Sequence, residues 1–156
     1  MLPISELMSV NLIKVDLEPI DRLDAFHQIA KFLCDKDWIP PEAEDELYDR
    51  LVKREAICST GLGHGVAMPH VYFEKLPKPM LLFARFQRTV DFESQDGIPV
   101  DKFFLLMGPK RDNTEHLRIL ARLARLLKDE EFIAALKQAQ SPEDILAAVK
   151  DVETRH

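Results

Sequence analysis

Three glycines, two hydroxyls and two histidines fall within the run Ser59-Thr60-Gly61-Leu62-Gly63-His64-Gly65-Val66-Ala67-Met68-Pro69-His70. Glycines at alternate positions let a backbone enter φ > 0 and come close to a bound group. A loop of that kind can aim backbone N–H groups at an anion. Pro69 fixes the chain leading into His70. A neutral imidazole is a competent nucleophile near neutral pH, and its charge is easily tuned. The pattern predicts a histidine nucleophile, His70, beside a phosphate-sized, negatively charged group. The competing reading is a histidine that merely packs at a strand end.

Three further sets of residues fit that chemistry. His116 opens a helical pattern in which residues 116, 120, 123 and 127 share a face, the last three being leucines. It therefore points to the core side, in the positive potential of a helix N-terminus, which favours a neutral ring and nearby anions. It is either a second imidazole donating to a group on His70 or a half-buried structural histidine. Arg54 ends a helix just before the glycine run, and arginine is a natural phosphate clamp; an Arg54-Glu55 surface pair is the alternative. Ser59 and Thr60 can donate to a phosphoryl group or cap the loop. No GxxxxGK segment followed by Ser or Thr exists, Gly61-x-Gly63 is not completed as GxGxxG, and HExxH is missing. His64, His70 and His116 lack any spacing that recommends a metal, and His64 reads as a solvated loop residue.

The elements that position these residues follow from periodicity. Residues 9–17 alternate well enough for a strand, with Val10, Leu12 and Val15 as its apolar members. Asp21 opens a helix carrying Leu23, Phe26, Ile29/Ala30 and Leu33. Pro40-Pro41 restarts the chain into a second helix, marked by Leu47, Leu51 and Val52 and running to about Glu55. Residues 65–68 suit a short strand. Residues 80–86 and 102–107 read as buried strands joined through turn chemistry at Gln95-Asp96-Gly97. After Gly108-Pro109 the chain is helical. Asp112 is the expected cap with Glu115 at N3. Leu117, Leu120, Ala121, Leu123, Ala124 and Leu127 form an apolar stripe. Residues 129–137 and 141–150 are two more helices, the second with Ser141 as cap and Pro142 at N1. Strands mixed with helices point to an α/β layered sandwich.

Composition sets the bounds. The chain has 156 residues, 46% hydrophobic and 31% charged, with a net charge of −6. That fits a single soluble domain over residues 1–156. The acidic balance argues against nucleic acid as a partner. The longest apolar runs are far short of a membrane span, and no secretion signal opens the chain. Cys34 and Cys58 show no CxxC spacing and read as free, buried thiols in a reducing cytoplasm.

Arg54-Glu55 followed by Ser59-Thr60-Gly61-x-Gly63-x-Gly65-Val66-Ala67-Met68-Pro69-His70 resembles the phosphorylation segment of enzyme IIA domains of the mannitol/fructose class. These belong to the phosphoenolpyruvate-dependent phosphotransferase system (PTS), which includes a nitrogen-regulatory branch. Asp96-Gly97-x-Pro99-Val100-Asp101, Phe104-Leu105-Leu106, Glu115-His116-Leu117, Leu120-Ala121-x-Leu123-Ala124 and Leu126-Leu127-x-Asp129-Glu130-x-Phe132 extend the likeness to about residues 5–150. The pattern is departed from at His64, where asparagine is common, at Val71, where a small residue is usual, and in the loop from Tyr72 to Pro79.

The resemblance implies an α/β fold, a mixed β-sheet flanked by helices on both faces in three layers, as a single IIA-type domain. It implies that His70 accepts a phosphoryl group from an HPr-type phosphohistidine carrier, with His116 and Arg54 beside it and no metal, nucleotide or other cofactor. The output would be a regulatory target of the nitrogen branch, in the cytoplasm and without direct membrane insertion. Two alternatives stand beside it. One is a sugar-specific IIA component that passes phosphate to a IIB partner for mannitol or fructose uptake. The other is a binding module of the same fold without phosphorylation.

Overall fold

The computed structural model describes residues 2–110 and 113–156. Among them the chain forms β1 (Ile13–Leu17), α1 (Arg22–Asp35), α2 (Glu44–Ile57), β2 (Gly61–Gly63), β3 (Val66–Ala67), β4 (His70–Tyr72), β5 (Met80–Val90), β6 (Val100–Gly108), α3 (Asn113–Leu126), α4 (Glu130–Gln138) and α5 (Pro142–Arg155). The strands make one sheet in the order β1-β5-β6-β3-β2, and β4 also pairs with β6. β5 and β6 are antiparallel and central. β1 runs parallel to β5, while β3 and β4 run parallel to β6.

Alternation along the central strands builds two cores. Leu82, Ala84 and Phe86 of β5 and Phe103, Leu105 and Met107 of β6 face α1 and α2. Leu81, Phe83, Phe104 and Leu106 face α3, α4, α5 and the turn at Ile4–Leu7. This is the expected mixed sheet with helices on both faces. The first core holds a ring cluster: Phe92 lies 5.9 Å from Phe26 and 6.1 Å from Phe103 between centroids. Burying each such phenyl contributes about 2 kcal/mol.

Capping chemistry sets several helix starts. Asp21 accepts from Asp24 N at 2.8 Å, Asp129 from Phe132 N at 2.9 Å, and Ser141 from Asp144 N at 3.1 Å. The Ser141 cap is worth about 1 kcal/mol. The expected Asp112 cap lies outside the described residues. Arg85 fastens the end of α4 to the sheet, donating to the carbonyls of Leu136 at 3.0 Å and Ala139 at 2.5 Å.

Several expectations are corrected. Only Ile13–Leu17 of the predicted 9–17 strand pairs into the sheet. Val10–Leu12 closes a 3-10 turn through Leu12 N to Ser9 O at 2.9 Å, leaving Val10 exposed and Leu12 buried. Leu23 and Leu117 are 49% and 61% exposed. Leu23 sits in the first turn at the flank of the arc formed by Phe26, Ile29, Ala30 and Leu33. In α3 the buried arc is His116, Ile119, Leu123 and Leu126, continued by Leu127 just past its end, and Leu117 and Ala121 are turned away from it at ~100° per residue. β5 runs on past Phe86 to Val90, which pairs with Val100 after a register shift. Cys34 is half-buried and Cys58 exposed, so neither thiol is buried. No helix among the described residues is long and apolar enough to cross a membrane.

Candidate functional site

The site is built on an interrupted strand beside β6. β3 and β4 lie along the same side of β6, with Ala67 opposite Phe103 and His70 opposite Leu106. Both chains advance three residues between these pairs, so the register survives the break. Pro69 has no N–H to give the ladder but its carbonyl accepts from Leu106 N at 3.1 Å. Met68 N turns instead to the Thr60 carbonyl at 3.0 Å. His70 thus begins a new short strand, where alternation puts it on the α3 side with Tyr72, while Val71 and Phe73 go into the opposite core.

His116 comes to the same place from α3. It is 1% exposed and its ring lies 5.0 Å from that of Tyr72, which lies 6.1 Å from that of His70. The expectation that His116 faces inward holds. Burial is the main reason that His70 titrates below the ordinary imidazole value; the Arg54 guanidinium and His116 add to it. All three effects disfavour a proton on His70 and leave it neutral near pH 7. Arg54 also donates to the Cys58 carbonyl at 3.3 Å, just beyond the end of α2. It is not paired with Glu55, whose partner is Arg22 at 3.1 Å.

The glycine run folds as a hairpin rather than an open loop, with β2 antiparallel to β3. Its tip takes three consecutive positive φ values: 99° at Gly63, 57° at His64 and 79° at Gly65. Asp96 clamps the tip, accepting from His64 N at 2.8 Å and Ile98 N at 3.0 Å. These two bonds hold the Asp96 carboxyl below the usual carboxylate range. Gly61 is required for a different reason, since a Cβ there would lie 2.1 Å from Ser94 Oγ.

Ser59 and Thr60 sit at the base of the hairpin with their hydroxyls engaged. Ser59 donates to the Phe92 carbonyl and its oxygen accepts from Gly61 N at 3.1 Å. Thr60 gives its hydroxyl to Glu55 at 2.5 Å, and its N–H reaches the same carboxylate at 3.1 Å. Glu55 is buried and also accepts from Arg22, which reaches the Phe92 carbonyl at 3.4 Å. A buried carboxylate is tolerated when paired and hydrogen-bonded in this way. Arg22, Glu55 and the Phe92 carbonyl therefore hold the loop from below.

Arg54 and His116 thus both act electrostatically on His70, while Ser59 and Thr60, as the structure stands, anchor the approach to it. Sequence reasoning missed Arg22 and Tyr72. Tyr72 was legible as the residue two after His70 on a strand; Arg22 carried no local signal, because its partners are distant in sequence. His64 is exposed at the hairpin tip, and among the described residues no group of three His, Cys, Asp or Glu is placed to hold a metal ion.

A mixed sheet between two helical layers, with one histidine on a broken strand beside β6 and a second on the helix that covers it, defines an α/β fold with a candidate site at its histidines. Residues 6–152 match the family described as "Phosphoenolpyruvate-dependent sugar phosphotransferase system, EIIA 2", and the chain belongs to that family of phosphoryl carriers. It is 34% identical over 148 residues to a nitrogen regulatory protein of Bradyrhizobium diazoefficiens, covering 95% of both chains. It is 30% identical over 149 residues to the fructose-specific EIIA component of a PTS system in Haloferax volcanii, covering 94% of this chain and 96% of that one. Among solved structures, the nitrogen regulatory protein IIA-Ntr of Neisseria meningitidis superposes with a TM-score of 0.84 at 28% identity, covering 94% and 98% of the two chains.

Proposed function

We propose that the chain is a cytoplasmic histidine phosphocarrier of the nitrogen-regulatory branch, taking a phosphoryl group onto His70 from an HPr-type phosphohistidine protein. One observation carries the reading: His70 is held neutral beside Arg54 and His116 at the break of the strand that runs along β6. A lone pair on one ring nitrogen of His70 attacks phosphorus, forming an N–P bond as the donor's N–P bond breaks. The donor imidazole leaves with the electron pair, and the proton it takes up balances the one His70 gives up. Such transfer needs in-line placement and charge stabilisation more than covalent work by other groups. Arg54 and His116 would face the developing charge on the equatorial oxygens. Ser59 and Thr60 complete the set by turning their hydroxyl protons from the Phe92 carbonyl and the Glu55 carboxylate to the phosphoryl group. The similarity to a nitrogen regulatory protein over 95% of the chain supports a regulatory target as the output.

The similarity to a fructose-specific EIIA component favours a second reading, in which a IIB partner takes the phosphoryl group for sugar uptake. Incubation with phosphoenolpyruvate, enzyme I and an HPr-type carrier tests the shared step. One acid-labile phosphate by intact mass, absent in His70→Ala, is expected. A folded protein that stays unlabelled by every such carrier would sink the proposal. Chase of the labelled protein with a IIB component separates the two outputs: retention supports the regulatory branch, and transfer supports the sugar branch.

A further inference from the structure

Tyr72 has no part in the chemistry above, yet its ring packs against both imidazoles. It meets His70 edge to face at 6.1 Å and 83°, and His116 at 5.0 Å with a tilt of 38°. Its own position is fixed from several sides. The backbone is paired to β6 opposite Gly108, and the carbonyl accepts from Arg50 Nη1 at 3.0 Å. Lys110 Nζ stands 5.9 Å from the ring centroid, a cation over the aromatic face. Lys110 N is in turn held by Glu74 Oε1 at 2.9 Å. Opposite Tyr72, Gly108 contributes no side chain, which leaves the space that the His116 imidazole fills.

A ring placed this way acts on two steps. In transfer, the attacking nitrogen must lie in line with the donor bond, and a small misplacement is costly. Aromatic contact on His70 and His116 restricts rotation of both rings. In storage, the danger is water. Hydrolysis forms an O–P bond from water, breaks the N–P bond, returns the electron pair to the His70 nitrogen with a proton, and releases inorganic phosphate. An aromatic ring packed beside the imidazole slows that attack by excluding water.

We propose that Tyr72 is a positioning residue for phosphoryl chemistry at His70, its ring holding the two imidazoles in place and keeping water from the phosphohistidine. The proposal rests on the reading that His70 carries the phosphoryl group. The ring, not the hydroxyl, does this work, since the contacts are made by ring faces and edges.

The test uses the whole chain and the variants Tyr72→Ala and Tyr72→Phe. The first readout is the lifetime of the phosphate on His70 after the donor is removed, followed by intact mass. Tyr72→Ala shortens it about tenfold, and Tyr72→Phe restores it. The second readout needs no phosphate: imidazole titration of His70 by NMR in the unphosphorylated protein. Opening the site to water moves the His70 midpoint up toward 6.5 in Tyr72→Ala and not in Tyr72→Phe. An unchanged lifetime with an unchanged titration in folded Tyr72→Ala overturns the proposal. So does a Tyr72→Phe protein that behaves like Tyr72→Ala, because the hydroxyl would then be the acting group. Failure to phosphorylate the parent protein would instead overturn the carrier reading and leave the titration to judge the ring's packing.

Discussion

Gly108 and His116 share one space: a Cβ placed on Gly108 would lie 3.2 Å from Nε2 of His116 and 2.9 Å from Cα of Pro79. The last residue of the central strand lacks a side chain where an imidazole from the following helix returns over it. Gly108→Ala should force the Pro79 backbone and His116 outward, at a cost of about 1–3 kcal/mol. Thermal unfolding and the rate of phosphorylation check this together. A variant as stable and as fast as the parent would show that the space is not shared.

His116→Ala should slow phosphorylation roughly 100-fold, the loss expected from one preorganised donor, while the phosphate still maps to His70. Rapid-quench labelling measures the rate. A parent-like rate would leave His116 a packing residue.

Glu55→Ala should destabilise by about 3 kcal/mol, because it strands Arg22 in a half-buried site and takes the acceptor from Thr60. Glu55→Gln keeps an acceptor for Thr60 and should cost less. Denaturant midpoints decide, and equal midpoints for the two variants would count against the acceptor for Thr60 mattering.

His70 gives acid sensitivity with a definite sign. Burial first, then Arg54 and His116, lowers its native value below 6.5, while the unfolded imidazole takes its proton at the ordinary value. Between the two values the unfolded chain binds more protons, so stability falls as pH drops through the window just below 6.5. His70→Gln should flatten that part of the stability curve. A slope unchanged by the substitution would refute the assignment.

Asp129 acts lower on the scale. The hydrogen bond with His156, the Phe132 N–H and Arg155 bring its carboxyl down to about 2. Its contribution is present above the unfolded value of ~3.9 and is lost as pH falls toward the native one. Asp129→Asn keeps an N-cap acceptor for α4 but should remove the acid-dependent part of this loss. Urea midpoints across that range measure it, and parallel curves for parent and variant would contradict it.

Local signals in the chain were enough for much of the fold. Asp21 and Ser141 announce helix starts because their side chains cap the N–H groups a few residues on. Compact apolar runs announced β5 and β6. The glycine run, Pro69 and His70 were legible as a candidate site because strained backbone and a preset φ leave their mark on residue type. The limits of β1 were not legible, because a 3-10 turn and a strand compete for the same alternating residues and tertiary contacts choose.

By itself, then, the sequence determined the candidate nucleophile, the helical stripe that turns His116 inward and the layered α/β class, since each depends on residue type and short-range spacing. Only the tertiary structure decided the company that these residues keep. Pairing with β6 on both sides of Pro69 puts His70 and Tyr72 on the face that α3 covers. The ion pair of Arg22 with Glu55 spans α1 and α2, and through Thr60 and the Phe92 carbonyl it sets the base of the hairpin. Such contacts join residues far apart in the chain, and no local pattern encodes them, because the free energy that selects them comes from packing the whole sheet between its two helical layers.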